Sequence, residues 1–242
     1  MKKIALFALG CMLISATQAQ DTTVVPTKKP VINLAGRAND HLMIQLGYAG
    51  WAGAPDSINT GGFSKSFNVF FMFDFPFKTN PKLSMAFGPG ISSDHIKFKK
   101  THVGIRDNTN TLQFSDRSDT NHFKKTKLAT VYLEAPIEFR YTKDPLNSDK
   151  SLKFAVGVRV GTMLKAYTRN KTFQTKSGQA INDYLVKEYH KGFFNTTRLV
   201  GTARIGMGHF SLFGSYQFTT LFKEGVAAEI RPFTIGLTLS GL

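Results

Sequence analysis

The feature that most constrains this chain is the alternation of apolar and polar side chains over residues 127–143, KLATVYLEAPIEFRYTK. One alternate set is apolar and ends in Phe139 and Tyr141, while the other carries Glu134 and Glu138. Successive side chains of a β-strand point to opposite faces, so this period of two predicts a strand with one apolar and one polar face. The stretch is long for an ordinary strand. Its apolar face must meet either a protein core or lipid.

Further stretches along the chain show the same alternation. They lie at residues 41–51, 66–77, 82–92, 151–165, 194–207, 210–220 and 232–241. Antiparallel strands of about ten residues, even in number, with one apolar face and one small or polar face, are typical of outer-membrane barrels. We therefore predict an all-β fold, an eight-stranded antiparallel up-and-down transmembrane β-barrel. A closed barrel also satisfies the backbone hydrogen bonds within lipid, and no segment after the N-terminal apolar run is long enough for a transmembrane helix.

The connections between these stretches alternate in length. The short ones are residues 78–81, 144–150 and 208–209. The long ones are residues 52–65, 93–126, 166–193 and 221–231. Bacterial outer-membrane barrels have short periplasmic turns and longer extracellular loops. The alternation therefore predicts that both termini are periplasmic and that the apolar strand faces meet lipid. A soluble periplasmic ligand-binding barrel is the alternative, and it needs no such asymmetry.

The N-terminus indicates the compartment. Residues 1–19 have a basic start, an apolar run too short to span a bilayer, and a small-residue cleavage site, as in a secretory signal peptide. We predict that residues 20–40 form a periplasmic N-terminal tail and that residues 41–242 form the barrel domain in the outer membrane of a Gram-negative cell. Cys11 is the only cysteine, so the mature chain would contain no disulfide. Lipidation of Cys11 stays open as an alternative.

Two adjacent predicted strands carry a family resemblance. Residues 132–141, YLEAPIEFRY, resemble the L-E-x-P-x-x-x-[KR]-[YF] strand of the PorT-like outer-membrane β-barrel family. Residues 153–161, KFAVGVRVG, resemble the glycine-alternating strand that follows it, and residues 211–216 and 231–237 also fit. The resemblance implies an outer-membrane barrel, in a family where some members assist protein secretion, and it implies no activity. Pro136 would mark a bulge in its strand.

Charged side chains on the polar faces would point into the barrel. Eight strands leave an interior just wide enough for side chains to fill, and a charge in so narrow a space needs a partner. We therefore predict an interior charge network that plugs the lumen. Its members are Glu134, Glu138, Arg159, Arg198 and Arg204. The alternative is a proton path or a catalytic carboxylate pair, but Glu134 and Glu138 lie far apart on one strand for acid–base pairing.

The long connection at residues 93–126 is basic. We predict a basic extracellular loop made of Lys97, Lys99, Lys100, Lys124 and Lys125. Clustered cations bind phosphate, which makes outer-membrane lipid and lipopolysaccharide the expected partners, with a plain solvated loop as the alternative. The formal net charge of +15 would otherwise suggest nucleic acid, but export argues against that partner. Trp51 and Tyr48 are expected in the aromatic belt at the lipid interface.

Motifs for catalysis or metal binding are missing from the sequence. The histidines form no H-E-x-x-H pattern, and no serine lies in a G-x-S-x-G turn. We expect no catalytic, cofactor-binding or metal-binding residues and no cofactor. The predicted function is that of a non-enzymatic integral outer-membrane protein with a structural or accessory role in the envelope, with secretion proteins among its candidate partners. An outer-membrane enzyme acting on lipid or peptide is the alternative.

Overall fold

A computed structural model describes residues 41–241, so the predicted signal peptide and tail lie outside the described residues. The ordered elements are β-strands and a short 3-10 helix, Ser148–Lys150. The strands are β1 Leu42–Ala52, β2 Lys65–Phe71, β3 Phe73–Pro76, β4 Leu83–Phe87, β5 Gly90–Phe98, β6 Thr101–Val103, β7 Phe114–Asp116, β8 His122–Thr142, β9 Leu152–Gln174, β10 Ala180–Tyr189, β11 Thr197–Met207, β12 Phe210–Gln217 and β13 Arg231–Ser240. Within this part of the chain, no helix is both long enough and apolar enough to cross a membrane.

Eight of these strands pair into a closed antiparallel ring. Its order is β1, β2, β5, β8, β9, β11, β12, β13 and back to β1. Ring neighbours follow one another along the chain, with β3, β4, β6, β7 and β10 in the connections. Each predicted stretch overlaps one ring strand, although residues 82–92 share only residues 90–92 with β5, and the predicted all-β antiparallel fold is confirmed.

Proline divides the second and third predicted strands into two pieces each. β3 and β4 keep the register of β2 and β5, because Phe70 lies opposite Gly90 and Phe73 lies opposite Phe87. At the gap, Phe71 donates to the Pro89 carbonyl at 2.8 Å. Proline has no N–H to return that bond, so the ladder is interrupted without any shift.

Pro136 acts in the same way, and the prediction of a bulge there is wrong. The Gly88 N–H donates to the Pro136 carbonyl at 3.4 Å, and Pro136 lies in regular register with Arg159 of β9. The register of β8 against β9 shifts instead after Val131, so the extra residue lies in β9. The proline removes one hydrogen-bond donor but adds no residue to its strand.

The apolar face of each ring strand points outward. Large apolar side chains stay exposed around the whole ring. Examples are Leu46, Phe67, Ile91, Phe139, Val160, Ile205, Leu212 and Leu237. Monomeric soluble proteins rarely expose contiguous apolar patches larger than a few hundred Å². This outward apolar belt therefore has the character of a lipid-facing surface.

The long connections form an apolar cap over one end of the ring. The cap is built from buried side chains of all four connections. They are Ile58, Val103, Ile105, Leu112, Phe193, Phe194, Leu221, Phe222 and Ile230. Backbone bonds tie the connections together, as where Leu112 donates to Val226 at 2.9 Å. Trp51 belongs to this cap and not to the expected lipid-facing belt, since its ring lies 5.4 Å from that of Phe98 and 5.9 Å from that of Phe222.

Strands β8 and β9 extend far past the ring. They contain 21 and 23 residues, and β10 pairs with the end of β9 as an exposed hairpin. The prediction of a loop over residues 166–193 is therefore largely wrong. The alternation of apolar and polar side chains that marked the end of the predicted strand stops where the outer face ceases to be apolar. The backbone hydrogen bonds of β9 continue beyond that point.

Candidate functional site

All five predicted interior charges lie inside the ring, and each is buried. They form two clusters with different partners. Glycines of β9 provide the space for both glutamates: a Cβ at Gly161 would lie 2.8 Å from the Glu134 Cγ, and a Cβ at Gly157 would lie 3.0 Å from the Glu138 Cγ. The bulk of the Glu134 side chain thus explains Gly161, whereas a Cβ at Gly157 would meet the β8 backbone at Ile137 and Glu138 even before the Glu138 side chain.

The first interior cluster is centred on Glu134. Its Oε1 accepts a hydrogen bond from the Arg198 Nε at 2.6 Å, and its Oε2 is paired with the Arg159 Nη1 at 3.4 Å. The Ser92 hydroxyl also donates to Oε2. Asp94 accepts a second bond from Arg198 at 3.0 Å. Two carboxylates and two guanidinium groups therefore balance one another.

Arg198 has a further partner within this cluster. Its guanidinium carbon lies 3.7 Å from the centre of the Tyr132 ring, and that ring is fully buried. A cation placed over a desolvated aromatic face is attracted by the ring quadrupole. Arg198 is therefore held by two carboxylates and an aromatic ring at once, which fixes its position in the interior.

The second interior cluster is centred on Glu138. Its Oε2 accepts hydrogen bonds from the Arg140 Nε at 3.0 Å and the Arg204 Nη2 at 3.1 Å. Arg140 is also paired with Asp74 at 3.6 Å, and the Ser84 hydroxyl donates to Asp74 at 2.7 Å. This cluster again contains two carboxylates and two arginines.

Sequence reasoning missed several members of the two clusters. They are Asp74, Ser92, Asp94, Tyr132 and Arg140. Four of these occupy polar-face positions of predicted strands, so their inward direction was available from the alternation. Asp94 was assigned to a loop because the third predicted strand, residues 82–92, ended before it. Which side chains meet across the ring depends on register, and alternation alone does not give the register.

The interior has little room for a ligand near these charges. The cavity beside Asp94, Arg159 and Arg198 has a volume of about 10 Å³, close to the minimum for one water molecule. Both glutamates are already bound by two arginines each. Groups that are buried and saturated in this way stabilise a structure more readily than they act on a substrate.

The five predicted loop lysines come together in one cleft of about 670 Å³. Only two of them lie in a connection, however. Lys97 belongs to β5, and Lys124 and Lys125 belong to β8, while Lys99 and Lys100 join β5 to β6. The prediction of a basic loop is therefore corrected to a basic wall, built mostly on strands that continue past the apolar belt.

Strand pairing arranges the cations of this wall in rows. In the first row, Lys97 lies opposite Lys127, which lies opposite Arg169. Arg169 in turn lies opposite Lys187 of β10. The next row outward contains Lys125 and Lys171 as a direct pair, with Lys99 of the adjoining connection lining the same cleft.

The rows lie on the outer surface of the ring wall. Lys97 has the same phase along β5 as Ile91, and Lys127 has the same phase along β8 as Leu133; Ile91 and Leu133 are exposed members of the apolar belt. Cross-strand partners share a face, so Arg169 also points outward. The cationic rows thus lie on the same outer surface as the apolar belt, nearer to the end of the ring that carries the long connections.

The basic cleft has a strong excess of one charge. Its cationic members are Lys97, Lys99, Lys100, Lys124, Lys125, Lys127, Arg169 and Lys171. Among the described residues that line it, none is acidic. The charges of Arg169, Lys97, Lys187 and Lys65 all act on Lys127. Like charges placed directly opposite one another destabilise a sheet, so this arrangement favours a bound anion.

The histidines have separate partners. His102 is paired with Asp107 at 3.4 Å, His122 contacts Gln174 at 2.9 Å, and His95 contacts the Ser93 hydroxyl at 3.1 Å. Across residues 41–241, no group of three or more His, Cys, Asp or Glu side chains is placed to hold a metal ion.

Residues 35–223 match the family described as Outer membrane protein beta-barrel domain. This chain belongs to that family. A comparison with curated proteins found no match. Among solved structures, the chain is similar to Ail, the attachment invasion locus protein of Yersinia pestis, in complex with the heparin analogue sucrose octasulfate. The identity is 14%, the match covers 82% of this chain and 95% of that chain, and the TM-score is 0.33. The family confirms the prediction of an outer-membrane β-barrel protein and its location in the outer membrane.

Proposed function

We propose that this protein is a non-enzymatic, eight-stranded transmembrane barrel with a closed lumen and a structural or accessory role in the envelope. The observation that carries the proposal is the pair of charge-balanced interior clusters around Glu134 and Glu138. In the described part of the chain, these ion pairs fill the interior around both glutamates and leave only a cavity of about 10 Å³ beside Arg159 and Arg198, which supports a closed lumen. A secretion role of the PorT-like kind is supported by the strand pattern of residues 132–141 alone.

The proposed orientation has both termini in the periplasm and the capped end outside the cell. It is supported by the alternating connection lengths and by the apolar belt below the cap. The alternative of a soluble ligand-binding barrel requires an interior cavity and a polar exterior. The described residues instead show a packed interior and exposed apolar side chains such as Phe67 and Leu237.

Two measurements test this proposal together. Detergent-extracted protein should migrate faster on a gel when unheated than when boiled, and it should fractionate with outer membranes. In planar bilayers the purified protein should show no steady solute conductance. Recovery of the protein in the soluble periplasm would contradict the membrane barrel, and open-channel conductance would contradict the closed lumen.

A further inference from the structure

The outer wall carries a second cavity directly beside the basic cleft. This apolar groove has a volume of about 710 Å³. Its apolar members are Leu46, Tyr48, Phe63, Phe67, Ile235 and Leu237. Lys97 and Lys127 line both cavities. The two cavities are therefore adjoining parts of one surface with an apolar portion and a cationic portion.

The composition of this surface changes in order along the strands. The row that contains Leu46, Phe67 and Leu237 is apolar. The next row outward is mixed, with Tyr48 opposite Lys65 and Lys65 opposite His95.

The third row is the cationic one, where Lys97 faces Lys127. Outward-facing residues of a strand are two positions apart, or roughly 6.6 Å, so Lys65 lies one row and the cationic row lies two rows, or roughly 13 Å, beyond the apolar row. Apolar, interfacial and charged levels in this order match the acyl, interfacial and phosphate levels of a lipid leaflet.

We infer that this surface binds a lipid carrying at least two phosphate groups, with its acyl chains in the apolar groove and its phosphates on the basic cleft. The inference rests on the proposed membrane barrel, because only a membrane-embedded wall presents the groove to lipid. Lipid of the lipopolysaccharide type is the occupant that fits this surface, since that lipid joins several acyl chains to more than one phosphate.

Charge complementarity sets the number of phosphates. The rows place Lys97, Lys127 and Arg169 on neighbouring strands roughly 4.8 Å apart, with Lys125 and Lys171 one row beyond. The cations therefore extend over three strands and two rows, an area wider than one phosphate group. Gly61 lines the cleft beside Lys97, and its N–H is bonded to the Lys97 carbonyl at 3.0 Å. A Cβ at Gly61 would lie 2.7 Å from the Lys99 Cβ, so the glycine lets its connection pack against the strand that carries these cations.

A soluble phosphate polymer would meet the same cations, but it would leave the groove unused. The groove side chains Leu46, Phe63 and Leu237 are 58–60% exposed, and contact with acyl chains would remove them from water. The lipid is therefore the occupant that satisfies both parts of the surface, and the soluble polymer becomes an outcome to be excluded by experiment.

The test uses the full-length protein in detergent and three probes: bisphosphorylated lipid A, its dephosphorylated counterpart, and soluble inorganic polyphosphate. Native mass spectrometry measures which probe stays bound. The wild-type protein should retain the bisphosphorylated lipid at least about tenfold better than the dephosphorylated one. The inference would be overturned if polyphosphate bound as tightly as the bisphosphorylated lipid, because the acyl chains would then contribute nothing to binding.

Variants separate the two parts of the surface. The double variant Lys127→Gln, Arg169→Gln should lower affinity for the bisphosphorylated lipid by at least about tenfold. Phe63→Ala should weaken lipid binding without changing polyphosphate binding. The matched control is Lys150→Gln, which removes an exposed cation in the turn between β8 and β9, at the opposite end of the ring.

Equal lipid affinity in the double variant and in the control would overturn the inference, provided both proteins still show the heat-dependent gel shift. Absence of the heat-dependent gel shift in the wild-type protein would instead contradict the proposed membrane barrel itself. The two failures are thus distinguishable in the same preparations.

Discussion

The interior of the ring and its outer wall treat charge in opposite ways. Inside, Glu134 and Glu138 are each bound by two arginines, and each cluster balances two acids with two bases. On the outer wall, the basic cleft gathers cations from β5, β8 and β9 with no acidic lining residue among those described. A closed space must contain its own counter-charges, whereas an open surface can take them from a ligand.

The difference also separates what stabilises the fold from what the fold displays. Removing one partner of a buried ion pair leaves an uncompensated charge. Removing one cation from the wall relieves repulsion. Substitutions of equal charge magnitude should therefore have opposite effects on the stability of the lipid-free protein, and the following predictions test that contrast.

The largest effect is expected for Glu138→Ala. The change leaves Arg140 and Arg204 without the carboxylate that binds both, and it should destabilise the barrel by about 3–5 kcal/mol. Urea unfolding in lipid vesicles, followed by tryptophan fluorescence, measures the loss. Glu224→Ala, at an exposed position of the β12–β13 connection, is the control and should have little effect. A loss below about 1 kcal/mol for Glu138→Ala would mean that water replaces the carboxylate.

The second effect concerns the space around Glu134. Gly161→Ala places a Cβ 2.8 Å from the Glu134 Cγ, and overpacking of this kind typically costs about 1–3 kcal/mol. Gly214→Ala is the matched control, because a Cβ at Gly214 meets nothing within 4 Å. The same unfolding assay compares the two, and equal stabilities would show that Glu134 moves aside freely.

The third effect should have the opposite sign. Lys127→Gln removes one charge from the cationic row and should stabilise the lipid-free protein by about 0.2–1 kcal/mol at low salt. The gain should shrink as salt is added, because screening weakens repulsion between exposed charges. Lys150→Gln should show neither the gain nor its salt dependence. A loss of stability in Lys127→Gln would break the contrast between wall and interior.

The smallest effect is expected in the turn between β8 and β9. The Asn147 side-chain amide donates to the Asp144 carboxylate at 2.8 Å and holds the pKa of Asp144 below its ordinary value. A carboxylate with a lowered folded pKa stabilises above that ordinary value, and its contribution is lost as the pH falls through the folded pKa. Asp144→Ala should therefore lower the thermal midpoint slightly at pH 7, and the difference should disappear in acid. A difference that persists in acid would assign the effect to the turn backbone.

The alternation of side chains predicted the ring because it reports the environment on both sides of a strand. It placed Phe67 and Leu212 outward and Glu134 and Arg204 inward, as the structure has them. It failed past the apolar belt, where both faces are polar and the continuing strands β8, β9 and β10 resemble loops. Lys97 and Lys125 were selected correctly as a basic group but were assigned to a loop for that reason.

Other features were beyond the reach of a single sequence. The partners of Arg198 come from β5 and β8, so their meeting depends on the register of several strands. The apolar cap depends on connections that fold against one another, as where Lys223 donates to Phe193 at 3.0 Å. Trp51 was assigned to the lipid belt because its residue type suits that belt, whereas in the structure its ring packs against the aromatic rings of the cap.

The β9–β10 hairpin offers a site where a peptide could be inserted for display on the cell surface. In the proposed orientation, an epitope inserted among the cap residues would disturb packed side chains such as Phe222. The hairpin tip is different, since Gly178 has a left-handed φ of 92° and a Cβ there would meet nothing within 4 Å. A peptide tag inserted at this tip would be displayed to antibodies on intact cells while the barrel below it stays folded.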